Sequence, residues 1–103
     1  MAAAAIALHL NLMAPALTNL VQLQGSWIIT ATQTVSFKNL GIVITGKTVQ
    51  WTDPQYASEV LCTTSNDMDI MLNTYTLLSV DNNQALWKEA SASSFVTVWT
   101  RVP

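Results

Sequence analysis

The sequence predicts an all-β fold: a single antiparallel β-sandwich of Greek-key or jelly-roll type, with a detached N-terminal strand. Three observations carry this. Apolar residues alternate with period 2 in several segments, as they do in a strand with one buried face. Thr, Val, Ile, Trp and Tyr dominate the body, whereas the helix formers Glu, Lys and Arg are nearly missing. Turn signals recur at intervals of roughly 8–12 residues, the spacing of a sandwich or barrel. At 103 residues the chain fits one domain.

The first element spans Ala5 to Met13. Ile6, Leu8, Leu10 and Leu12 fall on one side of an extended chain, and Ala7, His9 and Asn11 on the other. Pro15 marks a joint, so residues 1–16 read as an extension and 17–103 as the body. Leu17 to Gln24 reads as a second strand, with a helical turn as the alternative. Gly25-Ser26 is a break. Trp27 to Phe37 then reads as one long strand, with Trp27, Ile29, Ala31, Val35 and Phe37 inward and Thr30, Thr32, Thr34 and Ser36 outward.

Asn39-Leu40-Gly41 makes a turn, and Ile42 to Thr45 a short strand. Gly46-Lys47 allows a tight turn before Thr48 to Trp51. Thr52-Asp53-Pro54-Gln55 has Asp and Pro where a turn favours them. Tyr56 to Thr63 is the next strand and Ser65-Asn66-Asp67 a loop. Asp69 to Val80 reads as one long strand, with Ile70, Leu72, Leu78 and Val80 on one face. Asp81-Asn82-Asn83 is a hairpin turn, since Asn and Asp tolerate left-handed backbone. Gln84 to Ala90 returns, Ser91 to Ser94 is a loop, and Phe95 to Val102 closes the chain. The expected core comprises Trp27, Ile29, Val35, Phe37, Leu72, Leu78 and Trp99.

Composition narrows the function. Half the residues are apolar and only 10% are charged, against roughly 25% in average soluble domains. Such a surface opposes self-association weakly, so extensive contacts between copies, or a coat of attached sugar, are expected. Lys38, Lys47, Lys88 and Arg101 form no basic patch along the chain, which argues against nucleic acid. Polar residues and Pro15 interrupt any apolar run long enough to span a membrane. Ala14-Pro15-Ala16 has the small-x-small form of a signal cleavage site, but the segment before it lacks Lys and Arg.

Few residues point to chemistry. His9 is the sole histidine and reads as a surface or interface residue. Cys62 is the sole cysteine and reads as a small buried hydrophobe. Asn66, Asp67 and Asp69 cluster oxygens without the ligand count or fixed glycine of a Ca²⁺ loop, so a self-capping loop is expected. Glu59, Asp67, Asp69, Asp81 and Glu89 could supply a pair of carboxylates for glycoside hydrolysis, but nothing in their spacing marks a pair. With no Walker-type loop or Gly-rich fingerprint, the expectation is neither an enzyme nor a cofactor or metal protein. Of Trp27, Trp51, Trp87 and Trp99, at least two are expected in the core. The others, with Tyr, Asn and Gln, could form a carbohydrate-stacking face. No Asn-x-Ser/Thr acceptor occurs, while clustered Ser and Thr leave O-linked sugar open.

The chain bears two resemblances. The alternating strand of Ile6, Leu8, Leu10 and Leu12, a joint and a β-rich body resemble the layout of donor-strand pilins. That resemblance implies an extracellular or cell-surface filament subunit, a homopolymer joined by insertion of this strand into the next copy. The segment Leu23-Gln24-Gly25-Ser26-Trp27 resembles the Gly-x-Trp signature of lipocalin-like small barrels. Arg101 matches the basic residue packing over that Trp, and Tyr75-Thr76-Leu77 before the Asp81-Asn82-Asn83 hairpin also fits. This second resemblance implies a barrel binding an apolar or carbohydrate ligand. Both require Trp27 to be buried.

Overall fold

The structure is a computed structural model that describes residues 18–90 and 95–103. Ile6, Leu8, Leu10, Leu12, His9 and the loop 91–94 lie outside the described residues. The chain runs α1 (Thr18–Leu23), β1 (Gly25–Ala31), a 3₁₀ turn (Val35–Phe37), β2 (Gly41–Thr45) and β3 (Thr48–Trp51). It continues through β4 (Glu59–Val60), β5 (Cys62–Thr63), β6 (Ile70–Leu72), β7 (Tyr75–Val80), β8 (Gln84–Glu89) and β9 (Val96–Arg101).

All nine described strands belong to one antiparallel sheet, ordered β4-β3-β2-β1-β9-β8-β7-β6-β5. The two ends of that order, β4 and β5, are separated in the chain only by Leu61. Residues 59–63 therefore pair with β3 through their first half and with β6 through their second. Between the halves, the Leu61 N–H donates to the Lys47 carbonyl at 2.8 Å. The sheet is thus a nearly closed, barrel-like meander. The β-class matches the sequence, but one sheet curled on itself replaces the two facing sheets of a sandwich. The reason lies in the connections: the sheet neighbours β2–β3, β6–β7, β7–β8 and β8–β9 are consecutive in the chain, so strands add side by side around the ring and none crosses over.

Three departures from the expected elements are interruptions of the long strands. Trp27 to Phe37 does not continue as a strand. The register against β9 shifts between Ile29 and Ala31, and the chain then enters the 3₁₀ turn, leaving Val35 82% exposed. Asp69 to Val80 is divided by a turn at Asn73, whose φ of 54° is left-handed. A second register shift between Leu77 and Ser79 then leaves Leu78 as the extra residue, 52% exposed. The 3₁₀ turn thus carries Val35 off the sheet and the bulge sets Leu78 outward, so neither reaches the core.

Leu17 to Gln24 also differs, because residues 18–23 are helical. Leu20 and Leu23 point into the barrel, with Leu23 fully buried. Asp67 stabilises the start of α1: its Oδ2 accepts the Leu20 N–H at 2.8 Å, and its carbonyl accepts from Asn19 Nδ2 at 3.0 Å. At the other end, Gln24 clasps the β2–β3 turn, donating to the Gly46 carbonyl and accepting the Gly46 N–H at 2.8 and 2.7 Å. These tertiary bonds hold a helix too short to be stable by propensity.

The lower barrel, beside α1, is filled by Trp27, Ile42, Ile44, Val49, Leu61, Ile70 and Ala85, all buried. Trp27 donates its Nε1–H to the Leu23 carbonyl at 2.8 Å, and Arg101 covers its ring. Higher up lie Ile29, Leu72, Trp87 and Trp99, also buried, while Phe37 is half-buried against them. Trp87 packs on Trp99 with ring centroids 4.7 Å apart. Cys62, expected inside, is exposed, because Leu61 takes the inward place in that segment.

Candidate functional site

Strand direction sorts the loops to two ends. Helix α1, the Gly46-Lys47 turn, the loop 64–69 and the Asp81–Asn83 turn share the lower end. The loops after β1 and β3 and the Asn73-Thr74 turn share the upper end. Bulky side chains and α1 fill the lower end. The upper end holds a cavity of about 230 Å³ that is partly open to solvent.

Its floor is aliphatic and aromatic: Ile29 from β1, Leu72 from β6 and Trp99 from β9. One wall carries three aromatic rings in mutual contact. Trp51 and Tyr56 have centroids 5.0 Å apart, Phe37 and Trp51 5.3 Å, and Phe37 and Tyr56 5.6 Å. The turn read from Thr52-Asp53-Pro54-Gln55 explains how two of them meet. The Asp53 carboxylate accepts the Gln55 N–H at 3.1 Å and the Gln55 side-chain amide at 2.9 Å, folding Tyr56 back beside Trp51. Those bonds hold the exposed Asp53 carboxyl below its ordinary pKa of 3.8. The 3₁₀ turn that removes Val35 from the core supplies Phe37 from the other side.

Polar groups enter at two places. Glu59 points inward at the start of β4; its Oε2 accepts the Trp51 Nε1–H at 3.2 Å, and its Oε1 accepts from Asn73 Nδ2. Across the cavity stands the Tyr75 hydroxyl, with side-chain hydrogen bonds to Thr34, Thr32 and Thr97. Burial pushes the pKa of Tyr75 above its ordinary 10.0, the charge of Glu89 adds to this, and the threonine bonds oppose it. The result is an apolar chamber with one carboxylate and one hydroxyl cluster, the composition of a small-molecule site.

The residues expected from the sequence are divided between cavity, packed core and surface. Ile29, Phe37, Leu72 and Trp99 line the cavity. Trp27 lies beneath it in the packed half. Val35 and Leu78 are on the surface. Of the carboxylates weighed for catalysis, Glu59 and Glu89 are at the upper end, and Asp67, Asp69 and Asp81 at the lower. Asn66, Asp67 and Asp69 do not form a cation loop: Asp67 caps α1, and Asn66 Oδ1 accepts from Thr64 Oγ1. Among the described residues no group of three His, Cys, Asp or Glu side chains converges on a metal position. Nor is any described helix long and apolar enough to cross a membrane.

Sequence reasoning missed Tyr56, Asn73 and Thr97 as cavity residues and did not give Glu59 a binding role. One signal was present: Trp51 and Tyr56 flank a strong turn, which places two rings side by side. Comparison with family models, curated proteins and solved structures finds no match for this chain.

Proposed function

We propose that the protein binds a small, largely apolar organic molecule in the upper cavity and acts as a binding barrel. The observation that carries this is the cavity of about 230 Å³ between the Phe37–Trp51–Tyr56 wall and the Ile29–Leu72–Trp99 floor. A chamber of this size among aromatic faces, with polar groups at only two points, suits a ligand that buries a ring or short alkyl chain. The seating of Arg101 over Trp27 and the meander order support the same reading, because both accord with a lipocalin-like barrel.

The filament reading rests on Ile6, Leu8, Leu10 and Leu12, outside the described residues. It also needs a groove in which an added strand could pair. The two ends of the sheet instead meet on one segment, 59–63, which favours a nearly closed body over one with an open strand groove.

Titration with 2-phenylethanol, monitored by tryptophan fluorescence, tests the proposal. Trp51 and Trp99 line the cavity, so occupancy should change emission saturably. Leu72→Phe, which fills the floor, should weaken that binding while the chain stays folded. A linear, unsaturable response, or undiminished binding to the filled variant, overturns it.

A further inference from the structure

We propose that the ligand is an organic cation, an aryl- or alkylamine whose ammonium group pairs with Glu59 while its apolar part lies against Trp51. The inference rests on the reading of the cavity as a ligand site and names what that site selects.

Glu59 is the one charged side chain among the described residues lining the cavity. Both of its described hydrogen-bond partners are neutral donors, Trp51 and Asn73. A carboxylate offers about four acceptor positions, so two donors leave roughly half its capacity for a ligand. The remaining acceptor positions can take charge-assisted hydrogen bonds from a ligand ammonium.

The aromatic wall reinforces the same preference. Trp51 is held by its bond to Glu59 and by contacts with Phe37 and Tyr56, so its ring is fixed before a ligand arrives. Glu59 meets the edge of Trp51 at its N–H, so an ammonium paired with the carboxylate leaves the apolar part of the ligand to lie against the neighbouring rings. The one wall therefore presents an anion beside an aromatic, apolar surface. A neutral ligand would leave the Glu59 charge uncompensated, and an anion would be repelled by it, so the site discriminates by charge as well as shape.

Three probes of similar size and different charge test this: 2-phenylethylamine, 2-phenylethanol and 3-phenylpropionate, each titrated into the full chain. The amine should bind about tenfold more tightly than the alcohol, and the carboxylate most weakly. Glu59→Gln keeps the side-chain size and an acceptor for Trp51, and should narrow the amine–alcohol gap to within about twofold. On the unsubstituted chain, raising salt from about 50 to about 500 mM should weaken amine binding relative to alcohol binding. That comparison serves even if the variant fails to fold. Equal binding of amine and alcohol overturns the cation inference and leaves the cavity proposal standing. An alcohol or a neutral hexose that binds better than the amine does the same. Absence of saturable binding by all of these probes overturns both.

Discussion

The Arg101 guanidinium carbon lies 4.1 Å from the centroid of the Trp27 ring. Trp27 and Arg101 are directly opposed across the β1–β9 pairing, so closure of the first strand on the last creates this stack. The guanidinium also donates to the carbonyls of Asn82, Gln24 and Gln22, tying α1 and the β7–β8 turn to the barrel end. Gly25, at φ 110°, lets the chain turn there, and a Cβ on it would stand 3.0 Å from the Arg101 Nη1.

Arg101→Lys should therefore behave as a loss. Lysine keeps the charge but has neither the planar fork nor the stacking face. Denaturant melts should show a destabilisation of about 1.5–3 kcal/mol, the range for hydrogen bonds to a charged group. An unchanged midpoint would mean that the stack and its backbone bonds contribute nothing net.

Asp67 is 1% exposed and has a left-handed backbone, φ 47°. Asp67→Ala removes the cap on α1 and places an unsuitable residue at that φ, so a loss of about 1–2 kcal/mol is expected. Asp67→Asn keeps an acceptor and tolerates the conformation, and should recover most of it. If the two variants melt alike, the cap is not what holds the helix.

Leu72 and Leu78 offer a paired comparison within one hairpin. Leu72→Ala opens space beneath the cavity and should cost about 2–5 kcal/mol. Leu78→Ser alters a residue set outward by the β7 register shift and should stay within about 0.5 kcal/mol. Similar losses at both would show that the register after Leu77 is wrong.

Tyr75 gives the protein an alkaline limit. Its folded pKa lies above the ordinary 10.0, chiefly through burial. The folded state therefore keeps a proton that the unfolded chain releases. The associated stability is complete below pH 10 and declines as pH rises from there through the folded value. Absorbance titration at about 295 nm should detect a tyrosine ionising above its ordinary value, and Tyr75→Phe should remove that step. A Tyr75→Phe variant with an unaltered titration curve would contradict the assignment.

The chemistry of single residues determined much of this protein from the sequence alone. Period-2 alternation established the β-class. Gly46-Lys47, Asp53-Pro54 and Asp81-Asn82-Asn83 marked three turns, because conformational preference at these residues is local. Gly25-x-Trp27 and Arg101 were readable together as a pair of positions. Everything that depends on long-range pairing required the tertiary structure. Tyr56 to Thr63 read as one ordinary strand, and nothing local says that residues 59–63 join opposite ends of a sheet. Val35 leaves the core in the 3₁₀ turn that ends the first strand, and Leu78 at a register shift set by its partner strand, so alternation along the chain misplaced both. Helix α1 is held because Asp67 and Arg101 bond to it from distant segments and Gln24, at its end, clasps the turn at Gly46. The cavity likewise arises where Phe37, Trp51, Tyr56, Glu59 and Asn73 converge from separate loops and strands. Sequence specified the side chains; closure of the sheet decided that they face one chamber.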